Sequence, residues 1–224
     1  DSQGCSVTEQ VLLQNPDPVV LSFVSSSNPS CNGDQNGSAT VVASGGNAPY
    51  SYLWPNGETT ATATGLGAGV NTVTATDANG CSTTLDVNMV EPAALVVDTI
   101  RMTAVNCKGG ADGTATVFLS GGTLPYSFAW SNGMTGQSVS GLAAGTYVVS
   151  VTDANGCVTN SQIIVSEPAS ELVATLNTAD ALCFGGASGQ ITAIVSGGTP
   201  NSNGDYTYAW NTDADEADLN NLTS

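Results

Sequence analysis

The segment GLAAGTYVVSVTDANGC, Gly141 to Cys157, recurs 76 positions upstream as GLGAGVNTVTATDANGC, Gly65 to Cys81. Its last two residues appear again a further 76 positions back, as Gly4-Cys5. A fixed period of this size marks a tandem array, in which one unit accounts for all the others. Units of about 76 residues lie near the small end of chains that bury a self-sufficient core, so covalent staples are expected.

Each unit begins at a proline. Pro16, Pro92 and Pro168 each follow a cysteine by eleven positions and are preceded by Asn15, Glu91 and Glu167. Proline pushes the residue before it towards extended backbone, so each junction reads as a short, stiff link. Strands are expected at Val19–Val24, Leu95–Met102 and Leu172–Leu176, followed by Cys31, Cys107 and Cys183 and a Gly-rich turn. Period-two alternation then places Ala39, Val41 and Ala43 on one face of a strand, as it does Ala115, Val117 and Leu119, and Ile191, Ala193 and Val195.

After a Ser-Gly-Gly turn comes an alternating aromatic row: Tyr50, Tyr52, Trp54; Tyr126, Phe128, Trp130; Tyr206, Tyr208, Trp210. The third row is displaced by Asn201–Asp205, which lengthens its loop. Packed on one face, these rings would supply much of a small core. The alternative is an exposed platform for sugar rings, formed by Tyr50, Tyr52 and Trp54 and by Tyr126, Phe128 and Trp130. A short strand at Thr60–Leu66, or Gln137–Leu142, leads into the recurring segment. There Leu142, Gly145 and Tyr147 resemble the tyrosine corner of Ig-like sandwiches, with Asn71 replacing Tyr147 in the earlier copy. Asp-Ala-Asn-Gly closes a tight hairpin, and Cys81 or Cys157 opens the last strand.

The expected fold is all-β: Ig-like or PKD-like sandwiches of six or seven strands, strung end to end. The expected divisions are residues 1–18 as the end of a preceding repeat, 19–94 and 95–170 as complete repeats, and 171–224 as the first part of another. Chain start and chain end both fall within a repeat, so the sequence reads as an internal piece of a longer protein whose third repeat is frayed or completed from outside.

The net charge of −17 sets 19 acids against Arg101 and Lys108, with no histidine. Phosphate backbones and anionic lipid surfaces require clustered Lys and Arg, so neither nucleic acid nor a direct membrane contact is an expected partner. No run approaches the ~20 apolar residues of a membrane span. Six cysteines at periodic positions, with no Cys-x-x-Cys and no histidine, favour disulfides in an extracellular, oxidising setting over zinc.

The pattern C-x-G-x-x-(D/N)-G-(S/T)-A-T-V, then S-G-G-x-x-P-Y-S-(Y/F)-x-W-x-N-G, G-L-x-A-G and T-D-A-N-G-C before E-P resembles the SprB-type repeat of giant cell-surface adhesins in gliding Bacteroidetes. The resemblance covers essentially the whole chain, and only Pro200 to Tyr206 breaks the spacing. It implies a long surface filament exported by the type IX route and carried by the gliding machinery. The implied partners are neighbouring repeats and an extracellular surface or polysaccharide. Asp98-Thr99-Ile100 is similar to the O-glycosylation signal of that phylum.

The period allows several disulfide patterns. Within a repeat, Cys31 would pair with Cys81 and Cys107 with Cys157, and this is the favoured expectation. Across a junction, Cys5–Cys31, Cys81–Cys107 and Cys157–Cys183 pair all six. In an Ig-like topology the within-repeat partners lie at opposite ends of the sandwich, and if that topology and that pairing cannot both stand, Cys31 with Cys157 becomes a third candidate. Calcium is the cation that the recurring acids Asp77, Asp153, Asp34, Asp112, Glu91 and Glu167 would take, although Asp-x-Asn-Gly is first a turn signal. No other cofactor is expected. Without histidine there is no Ser-His or Cys-His nucleophile, and the cluster Asp213, Asp215, Glu216 and Asp218 reads as a solvated loop, so no enzyme is expected. An isopeptide staple has only Lys108 to draw on, and sister copies carry Asn32 or Phe184 there.

Overall fold

A computed structural model describes residues 2–12, 15–211 and 214–222. Among these residues every regular element is a strand, and the fold is a tandem series of Ig-like β-sandwich repeats. The chain divides into two compact units, each described by itself below.

The first unit holds the residues up to Leu95, together with the turns Gly121–Leu124 and Ala154–Cys157. Six strands build it: β1 (Val20–Ser27), β2 (Gly37–Ser44), β3 (Ser51–Leu53), β4 (Thr62–Leu66), β5 (Gly69–Thr76) and β6 (Ser82–Met89). They pair as two antiparallel sheets, β1-β2-β4 and β3-β5-β6. Along β2, Ala39, Val41 and Ala43 point inward, while Thr40 faces out and its hydroxyl meets that of Thr62 at 2.9 Å. This alternation follows from the two-residue period of a strand with one wet face. The core gathers Ala39, Val41, Trp54, Ala63, Leu66, Val73, Val87 and Met89.

The second unit repeats the plan with β7 (Val96–Thr103), β8 (Gly113–Ser120), β9 (Ser127–Trp130), β10 (Ser138–Leu142), β11 (Gly145–Thr152) and β12 (Val158–Val165). The sheets are β10-β8-β7 and β12-β11-β9. Val117, Leu142, Val149, Val151 and Val165 are fully enclosed. The same unit contains β13 (Val173–Ala179), β14 (Gly189–Ser196) and β15 (Asp218–Leu222), which form one three-stranded sheet. Tyr206, Tyr208 and Trp210 lie outside its strands and are half-buried.

Glycine is demanded where the Ser-Gly-Gly turn meets the chain that precedes each sandwich. Gly45, Gly121 and Gly197 have φ of 69°, 69° and 75°, a region that other residues enter only under strain. A Cβ on Gly121 would stand 1.8 Å from the Ala94 carbonyl oxygen, and one on Gly197 would stand 1.8 Å from that of Glu171.

One expectation and one alternative reading are corrected here. The within-repeat pairing does not form: Cys31 is bonded to Cys157, with 5.6 Å between Cα atoms, inside the first unit. Cys81 and Cys107 are exposed thiols. The reason is strand direction. Cys31 precedes the start of β2 and Cys81 lies beyond the end of β5, next to the turn that follows β2. Eight residues of strand separate these ends by roughly 25 Å, far beyond disulfide reach. The sugar platform is not formed either, because Trp54 and Trp130 are 2% and 4% exposed. Their indole N–H groups donate to the carbonyls of Thr60 and Gly136 at 2.9 and 3.0 Å, and Tyr50, Tyr52, Tyr126 and Phe128 are half-buried beside them.

Candidate functional site

The recurring chemistry collects at the two ends of a sandwich. At one end, the β5–β6 turn folds around Asp77. Its Oδ1 accepts the N–H groups of Asn79 and Cys81 at 2.9 and 2.8 Å, and its Oδ2 accepts that of Asn47 at 2.9 Å. Asp77 is buried, and the N–H of Asn47, followed by those of Cys81, Asn79 and Gly80, holds its carboxyl below the usual carboxylate range. Asp153 occupies the matching turn between β11 and β12 and is buried as well.

At the other end, a junction glutamate reaches back to the Gly-rich turn that follows the first cysteine. Glu91 accepts the Gly33 N–H at 2.6 Å and an Asn32 amide hydrogen at 2.9 Å. Glu167 accepts the Gly109 N–H at 2.7 Å, while Lys108 Nζ donates to the Ala169 carbonyl at 2.7 Å. Asp112 accepts from the backbone and side-chain amides of Asn106, and the backbone N–H is the main cause of its lowered pKa. Asp34 accepts from Ser30 and Asn36.

Among the calcium candidates, Asp77, Asp112, Glu91, Glu167 and Asp34 therefore face N–H or O–H donors, whose hydrogens point at the oxygens a cation would need. Among the described residues no three His, Cys, Asp or Glu side chains are grouped to hold a metal ion. The geometry makes these carboxylates anchors for turns and junctions: Asp77, Asp112, Glu91 and Glu167 take backbone N–H groups of the loops they close, and Asp34 takes side-chain donors of its own turn.

The corner behaves as its sequence suggests. Tyr147 donates its hydroxyl to the Ala143 carbonyl at 3.0 Å. In the earlier copy Asn71 donates its amide to Gly67, the equivalent carbonyl, also at 3.0 Å. Asp215, Glu216 and Asp218 are exposed, and Asp213 lies outside the described residues. Thr99, in the candidate glycosylation triplet, is exposed on β7.

Sequence reading held the Cys31–Cys157 pair only as its third arrangement, the one that forms, and missed the seat that Cys157 occupies. Around the bond to Cys31, the Asn155 amide donates to the Ser30 carbonyl at 3.0 Å and to the Thr123 hydroxyl at 3.1 Å. The Ala154 N–H donates to the Thr123 carbonyl at 2.9 Å. The available signal was the whole Asp-Ala-Asn-Gly-Cys motif, of which the turn explains the Asp and Gly and this seat explains the Asn and Cys.

A sequence profile described as SprB repeat matches residues 24–65, 99–135 and 175–215, together more than half of the chain. No curated protein matches. Among solved structures, the chain is similar to the N-terminal eight Ig domains of Down Syndrome Cell Adhesion Molecule (DSCAM) isoform 1.30.30, at 12% identity and a TM-score of 0.39. That alignment covers 97% of this chain and 45% of the other, so the chain spans less than half the length of that neighbour.

Proposed function

Because the chain belongs to the SprB repeat family, we propose that it is a spacer and adhesive segment of a long, filamentous cell-surface adhesin that attaches gliding cells to a substratum. The finer parts of this reading, export by the type IX route and traction by the gliding machinery, rest on family membership alone. The observation that carries the structural part is the role of the recurring residues. Tryptophans fill cores, acids anchor turns and glutamates tie junctions, so the recurring residues build architecture. The division at residues 19–94 and 95–170 is part of the same proposal. Adhesion would arise from many weak contacts presented in series, where avidity grows with repeat number.

The test uses antibody fragments raised against the chain on intact cells of the source organism. The expected result is surface labelling without permeabilisation and loss of attachment to glass or polysaccharide under flow. Labelling confined to permeabilised cells would overturn the surface assignment, and labelling without loss of attachment would overturn the adhesive one. The carbohydrate-module reading has no comparable support, because its tryptophans are buried.

A further inference from the structure

We propose that Cys107 is a docking and cross-linking site for the Asp-Ala-Asn-Gly-Cys hairpin of a further repeat of the same array, so that every junction carries one disulfide of the Cys31–Cys157 kind. The inference does not depend on the adhesive role.

Three observations carry it. Within the first unit, the hairpin end Ala154–Cys157 is seated on Ser30, Cys31 and Thr123 through the disulfide and the hydrogen bonds given above. Within the second unit, a cleft of about 780 Å³ is lined by Asn106, Cys107 and Thr199, the residues 76 positions after those three, and by Tyr206 and Tyr208. The backbone around the two sites is tied alike. Gly33 and Gly109 donate to Glu91 and Glu167 at 2.6 and 2.7 Å, and Gly122 and Gly198 donate to Ala93 and Ser170 at 2.8 and 3.0 Å.

The second cleft therefore has the parts of the first seat, with an exposed thiol where the first has a bond. Its occupant is defined by shape and chemistry: a four-residue turn whose asparagine amide bonds the carbonyl of residue 106, followed by a cysteine. The same rule gives the exposed Cys81, in the hairpin Asp77–Cys81, the role of donor to the first cysteine of a preceding repeat.

The bond forms by thiol–disulfide exchange with a small disulfide such as oxidised glutathione as the oxidant. The hairpin thiolate attacks the oxidant, giving a mixed disulfide and one glutathione thiol. The Cys107 thiolate then attacks the hairpin sulfur of that mixed disulfide, and the second glutathione leaves as thiolate and takes up a proton. Two protein thiols are oxidised and one disulfide is reduced to two thiols.

The test adds a synthetic peptide of residues 145–167, whose single cysteine is Cys157, to the full 224-residue chain in a glutathione buffer. Cross-linked peptides are then mapped by mass spectrometry. Docking raises the local thiol concentration, so the expected result is a mixed disulfide at Cys107 favoured by at least about tenfold over Cys81 and Cys183. Substituting the peptide's asparagine equivalent to Asn155 with alanine should weaken that preference. Even labelling of the three thiols, or equal labelling by a scrambled peptide with its cysteine in place, would overturn the proposal.

Discussion

Gly109→Ala and Gly121→Ala form a matched pair that separates two costs of replacing glycine. Both residues have left-handed backbone, at φ of 74° and 69°. An alanine there costs about 1–2 kcal/mol, part of which is returned by the stiffer unfolded chain. Nothing lies within 4 Å of a Cβ on Gly109, so its substitution should cost about 1 kcal/mol. A Cβ on Gly121 would meet the Ala94 carbonyl oxygen at 1.8 Å and its carbon at 2.7 Å. Both are backbone atoms, and relief requires the turn to move away from residues 93–94. That movement breaks the 2.8 Å bond from the Gly122 N–H to the Ala93 carbonyl, and the total should reach about 3–5 kcal/mol.

Repeats in an array can unfold in separate steps, so the global melt is a poor measure of either change. Hydrogen exchange at the Gly122 amide is the direct assay. Gly121→Ala should abolish its protection, and Gly109→Ala should leave it as in the parent chain. Equal cost in the two variants, or intact Gly122 protection in Gly121→Ala, would refute the claim that this glycine is required by the neighbouring backbone.

Four other outcomes are expected. Leu142→Ala, at a fully buried position, should cost about 2–5 kcal/mol in urea unfolding. Tyr147→Phe removes the 3.0 Å bond to Ala143 and should cost about 0.5–1.5 kcal/mol, with exchange quickening around the corner and not in β8. For Asp77, the folded pKa is depressed below the ordinary 3.8, so its contribution is present above that value and lost as pH falls through the folded one, where the unfolded chain binds the extra proton. Asp77→Asn should therefore flatten the acid limb of a stability–pH curve followed by fluorescence. A non-reducing peptide map should return Cys31 joined to Cys157, and a Cys31–Cys81 peptide would refute the connectivity.

Much of the sandwich could be read from residue spacing because a strand obeys a local rule. Ala39, Val41 and Ala43 are buried for the reason their spacing gives, and the expected strand at Leu95–Met102 is found at Val96–Thr103. Strand ends were less legible. The strand expected to stop at Val24 runs on to Ser27, because pairing with β2 sustains it past a bulge between Phe23 and Ser25 that no propensity announces. The aromatic rows were legible as a choice between core and platform. Position decided it, since the indole closes a bond to a carbonyl six residues later in each of the three copies.

The cysteines show where a period stops being informative. Translation by 76 residues relates equivalent atoms, but a disulfide joins non-equivalent ones, and every pairing of an early with a late cysteine respects the repeat. The choice requires knowing which end of the sandwich each thiol occupies, and that depends on the number of strand crossings between them. The copies of the corner make the complementary point. Tyr147 and Asn71 differ in size and chemistry yet donate to equivalent carbonyls, those of Ala143 and Gly67. What the fold holds fixed there is an acceptor in need of a donor, and a motif written as residue letters records only one of its solutions. By the same logic, the position occupied by Asn32, Lys108 and Phe184 is held less tightly. Asn32 and Lys108 donate to the junction carbonyls of Pro92 and Ala169, whereas Phe184 is fully exposed and has no side-chain donor. Phe184→Lys should accordingly leave the stability of the β13-β14-β15 sheet unchanged in the isolated chain, and a measured gain would show that residue 184 already has a junction carbonyl within reach.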